Sequence, residues 1–161
     1  MPKDNKNSPD EIGQWGLEFL EKHSNKPKST VDDPDFGTLV PYGFNYMVSS
    51  VANIDGFGEV KWEMGVSRTP KDAERIHFKF MRDNFAAIWQ VAWPTLIAAR
   101  ERREANQILE AGHFCFSVNA PEEGSALEGA EWSIQVEHED SDGMWFIEFT
   151  GLELTDVSAE Y

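Results

Sequence analysis

The chain of 161 residues has a single cysteine, Cys115, so no internal disulfide can staple it, and folding without oxidation points to a reducing compartment. No run of 18 uncharged apolar residues occurs, which argues against a membrane-spanning helix. The polar opening residues lack the apolar stretch of a secretion signal. A cytoplasmic protein without membrane association is the expectation.

Signatures of chemistry are missing as well. There is no G-x-S-x-G nucleophile elbow, no G-x-x-x-x-G-K-[ST] phosphate loop and no G-x-G-x-x-G following a strand. The four histidines, His23, His77, His113 and His138, show neither H-x-x-x-H nor H-E-x-x-H spacing, so no zinc constellation is indicated. His138-Glu139-Asp140-Ser141-Asp142-Gly143 resembles the start of a calcium loop, but Phe149 stands where the closing carboxylate is needed, and a plain hairpin turn is the better reading. His113 and Cys115 sit two apart without the surroundings of a cysteine nucleophile, so a packed Cys115 is preferred. No cofactor, metal or catalytic residue is expected.

The largest absence is of positive charge. Residues 113–161 contain twelve acids and no Lys or Arg, whereas residues 37–112 carry nine of each sign and residues 1–36 carry eight acids and five bases. The whole chain has 14 basic and 29 acidic residues, a formal net charge of −15. Such a chain is repelled by nucleic-acid phosphates and anionic lipid, which excludes direct binding to either.

What is present is a core. Forty per cent of the residues are apolar, with six Trp and eleven Phe, enough for one folded domain of this length. Residues 1–35 read as an amphipathic helix over 9–23, capped by Ser8 and Pro9, followed by a polar linker; residues 36–161 read as the domain. Within it, period-two alternation predicts strands at 42–48, 60–66 and 75–81, with Asp55-Gly56 as a hairpin turn. Residues 83–112 read as a helix capped by Asp83 and kinked at Pro94, or as a strand over 85–92 with a helix opening at Pro94. Further strands are predicted at 114–118, 132–136 and 144–149, the last two as a hairpin. The fold class is then α+β: a mostly antiparallel sheet of five or six strands packed on one long helix, with the short N-terminal helix at an edge. Arg100, Arg102 and Arg103 interleave with Glu101 and Glu104 and read as a solvated helix face.

Alternation sends Glu131 and Glu137 to the solvent side of their strand. The expected contact surface is Glu137, Glu139, Asp140, Asp142 and Glu148, with Trp145 as an apolar anchor because it alternates out of phase with Phe146; Trp62 and Trp132 are assigned to the core. The expected function is that of a non-enzymatic acidic protein that neutralises a basic protein partner. Immunity proteins and inhibitors are of this kind, and nucleic-acid mimics share its physics. The alternative is a small-molecule site or enzyme with a pocket between sheet and helix lined by Tyr46, Trp89 and Trp93. A third is an assembly subunit pairing through exposed strand edges.

Overall fold

The computed structural model describes residues 26–101, 114–138 and 143–160. Among these, eight strands form one mixed sheet in sequential order, β1 (Val31–Asp33), β2 (Gly37–Tyr42), β3 (Asn45–Ile54), β4 (Gly58–Val66), β5 (Phe114–Asn119), β6 (Glu131–His138), β7 (Met144–Thr150) and β8 (Glu153–Glu160). One helix, α1 (Asp72–Glu101), joins β4 to β5. All neighbours run antiparallel except β4 and β5, where Glu63 pairs with Ser117 and Met64 with Val118 in parallel. Two four-stranded meanders thus meet at a parallel seam, and the crossover such a seam requires is α1.

This corrects the sequence-based expectation of five or six strands. Eight are present, and the sheet is mixed. The expected strand at 75–81 lies inside α1. Ile76, Phe78 and Phe80 do alternate, but the buried positions run Glu74, His77, Phe78, Phe80, Met81, Phe85, Trp89, Ala92, Leu96 and Arg100, which follow a helical stripe, and Ile76 is left exposed. The helix therefore begins eleven residues before Asp83 and runs through Pro94 without interruption. The 42–48 segment is not one strand: Gly43, with φ +59°, turns the chain between β2 and β3. β8 went unpredicted, and β1 occupies residues assigned to the linker. The predicted helix over 9–23 lies outside the described residues.

Glu74 fixes where α1 starts. Three positions into the helix, its carboxylate accepts the Lys71 N–H at 2.8 Å and the Ser67 N–H at 3.0 Å, together with the Ser67 hydroxyl. This is the reciprocal half of a capping box, and it ties the end of β4 to the helix. A second tie comes from Arg75, which grips Asp33 at the end of β1.

Cα atoms of α1 approach within 8 Å of those of both β3 and β8. These strands lie five places apart in the sheet, so the sheet curves around the helix. The enclosed face carries the core: Val48, Met64, Val118, Ile134 and Ile147 are successive ladder partners, all buried. Aromatic rings fill the rest. Trp62 stacks on Phe85 at 5.6 Å, Trp132 on Phe149 at 4.2 Å and Trp89 on Trp93 at 4.8 Å. Arg100 is fully buried with its guanidinium 4.9 Å from the centre of the Phe114 ring, so it belongs to no solvated face; Arg102 and Arg103 lie outside the described residues.

Candidate functional site

Because strand side chains alternate and the enclosed face takes the apolar set, the polar set of every strand is sent to the outer face. The register decides which of these residues meet. One row reads Asn119, Ser133, Glu148, Asp156 across β5 to β8; the next reads Ser117, Gln135, Phe146, Ser158; the next Cys115, Glu137, Met144, Glu160. Glu131 pairs with Thr150 and Thr150 with Glu153. Six carboxylates of the C-terminal third, those of Glu131, Glu137, Glu148, Glu153, Asp156 and Glu160, therefore share one face. None of them is in an ion pair among the described residues, where the ion pairs involve only Arg75 and Arg82. Glu59 and Glu63 from β4 add to the same face, with Lys61 between them.

The expected contact residues separate. Glu137 and Glu148 are on this face; Glu137 accepts a 2.8 Å hydrogen bond from Gln135 Nε2, and Glu148 sits between Ser133 and Asp156. Glu139, Asp140 and Asp142 lie outside the described residues. Trp145 is 2 % exposed and projects into the enclosed core with Ile147 and Phe149, which removes it as a surface anchor. It is Phe146 that points outward, an apolar residue on the outer side, and this inverted the sequence reading. Trp62 and Trp132 are buried as expected, the Trp132 indole N–H donating to the Gly151 carbonyl at 2.8 Å.

Sequence reasoning missed Glu153, Asp156 and Glu160 as site residues because β8 was not recognised. Its run of Glu, Leu, Thr, Asp, Val, Ser and Ala has few apolar residues, as edge strands do. Also missed were Val40 and Tyr42, half or more exposed on β2.

Small side chains shape the middle of the outer face. Around Gly65 a hollow of about 470 Å³ opens between Tyr42, Met47, Glu63, Ser117 and Gln135, and a Cβ at Gly65 would meet nothing within 4 Å. A second hollow of about 340 Å³ is lined by Glu122, Glu131, Ser133, Glu148 and Thr155. Among the described residues, neither is lined by a Lys or Arg.

Cys115 is exposed on this face with its Sγ 3.6 Å from Glu63 Oε1. Partial burial, and then the neighbouring Glu63 carboxylate, push its thiol above the usual range. That is the opposite of what a nucleophile needs. Between sheet and helix, Trp89 and Trp93 stack on each other and are edged by Phe57 and Phe116, so these rings fill the space where a ligand pocket was considered. No helix among the described residues is long and apolar enough to cross a membrane. Compared with protein-family models, with curated proteins and with solved structures, the chain matches none.

Proposed function

We propose that this is a non-enzymatic acidic binding protein that neutralises a basic protein partner, in the manner of an immunity protein or inhibitor, through the outer face of its sheet. The observation that carries the reading is that six carboxylates, those of Glu131, Glu137, Glu148, Glu153, Asp156 and Glu160, share one exposed sheet face with no ion pair to any of them among the described residues. Like charges on neighbouring strands cost the domain a few tenths of a kcal/mol per opposed pair. A cationic partner offsets that cost on binding and is drawn in at long range.

The test compares the chain with its Glu137→Gln, Glu148→Gln, Asp156→Asn triple variant as affinity baits in extract of the native host. A basic protein retained by the first and not the second, and released as salt is raised, is the expected result. Equal retention by both baits, or a complex indifferent to salt, would overturn the reading.

A further inference from the structure

The outer face is not uniformly acidic, and its asymmetry defines the partner more narrowly. At the β2 end it is apolar: Val40 is 50 % exposed and Tyr42 66 % exposed, and Val40 pairs with Met47 on the same face. Met47 in turn pairs with Gly65. Gly65 shares a hollow with Asn119, whose ladder partners are Ser133, Glu148 and Asp156 in succession. A line across the sheet from β2 to β8 therefore begins with Val40, Tyr42 and Met47, crosses the smallest side chains at Gly65, Ser117 and Ser133, and ends at Glu148 and Asp156. With strands about 4.8 Å apart, the six steps span roughly 29 Å, the reach of about nine extended residues.

An exposed apolar patch continuous with a predominantly acidic field suits a partner that is itself divided in the same way. We propose that the outer face seats an extended amphipathic segment of the basic partner, with apolar side chains at one end over Val40, Tyr42 and Met47, its backbone crossing the hollow at Gly65, and Lys or Arg side chains at the other end meeting Glu148 and Asp156. This rests on the reading of the face as a site for a basic protein and adds which side chains that protein offers. Tyr42 takes the anchoring role that Trp145, being buried, does not fill. The charged end governs encounter and salt dependence, and the apolar end governs how long the complex lasts.

The probes are two synthetic 12-residue peptides with four lysines in one half, differing only in whether the other half carries two leucines or two serines. Binding to the full chain is followed by amide chemical shifts. The leucine peptide is expected to bind about five- to tenfold more tightly than the serine peptide. The Val40→Thr, Tyr42→Thr variant erases that difference without changing the serine peptide's affinity. Glu148→Gln with Asp156→Asn weakens both peptides equally, as does raised salt. Equal affinity of the two peptides overturns the amphipathic inference while leaving cation recognition standing. A leucine preference that survives in the Val40→Thr, Tyr42→Thr variant overturns it too, as when the shifts move to the separate apolar groove of about 190 Å³ that Ile88, Val91 and Leu152 line between α1 and the β7–β8 turn. Failure of both peptides to bind, or binding unaffected by the carboxylate substitutions, overturns the basic-partner reading and this inference with it.

Discussion

Arg75 and Asp33 meet through two parallel contacts, Nη1 to Oδ1 at 2.7 Å and Nη2 to Oδ2 at 3.0 Å, joining the helix to the end of β1, at the β1–β2 turn, 42 residues earlier in the chain. Asp33 also accepts the Asp35 and Phe36 N–H groups, and the Arg75 guanidinium lies 5.2 Å from the centre of the Phe36 ring. Phe36 packs on Phe78 of α1 at 5.3 Å, so charge and apolar contact fasten the same turn. The short β1 strand depends on this anchor.

The Arg75 guanidinium, through the hydrogen-bonded pair, holds the Asp33 carboxyl down at about 2, from its ordinary value of 3.8. A depressed carboxyl contributes stability above its unfolded value, and that contribution is lost as pH falls through the folded one. Asp33→Ala removes the acceptor of two backbone N–H groups as well as the pair and is expected to cost on the order of 1 kcal/mol at neutral pH. Urea unfolding should show the difference from the parent shrinking between pH 4 and pH 2. A difference that persists at pH 2 would place the effect in the turn conformation instead.

His77 is shifted in the same direction by a different cause, burial without a charged partner. It is 1 % exposed, set edge-on to Trp132 at 4.8 Å and tilted against Phe80, and neither ring nitrogen has a hydrogen-bond partner among the described residues. Burial pushes its pKa down from 6.5 to about 4. The unfolded chain then binds the proton more readily, so stability is complete above pH 6.5 and falls as pH drops toward 4. The shift corresponds to a loss of about 2–3 kcal/mol by pH 4.5. His77→Phe should remove that loss, so the variant gains on the parent as pH falls from 7 to 4.5, measured by chemical denaturation at each pH. A pH-independent difference would show that His77 remains neutral in the unfolded chain or charges freely in the folded one.

The elements that were legible in the sequence are those whose two faces meet different surroundings. In β4, Val60, Trp62, Met64 and Val66 face the helix while Glu59, Lys61 and Glu63 face water, and β6 repeats the pattern. Such strands declare themselves by alternation. The start of α1 did not, because Phe78 and Phe80 are both buried, one over Trp62 and the other against Trp132, and two helix residues held by different strands imitate period two. β8 is thinly apolar, with Leu154, Val157 and Ala159 only partly buried at the sheet edge. Charge sidedness in β6 followed from parity alone. The complete acidic face did not, because it needs the β7–β8 register, including the shift between Glu148 and Phe149.

Pro94 sits inside α1. It has no N–H for the Gln90 carbonyl, and the hydroxyl of Thr95 donates to the carbonyl of Val91 at 2.8 Å one residue on. Interior proline costs a helix about 3 kcal/mol, part of which packing against the sheet compensates. Pro94→Ala is expected to stabilise the chain by about 1–2 kcal/mol, read as a higher urea midpoint with unchanged slope. A lower midpoint would mean that a bend at Pro94 is required to keep Trp93 on Phe114, whose rings meet edge-on at 5.4 Å.

Glu148 and Asp156 face each other directly across β7 and β8 on the outer face. Two carboxylates so placed repel, and the repulsion is relieved by salt. Asp156→Asn is therefore expected to raise stability by a few tenths of a kcal/mol at low ionic strength and by less at 0.5 M salt, measured by urea unfolding in the two buffers. If this face serves a basic partner, the same substitution must weaken the complex, so stability and affinity should move in opposite directions in one variant. Asp156→Asn that stabilises the chain and leaves capture of the basic partner intact would show the carboxylate to be a solubility feature.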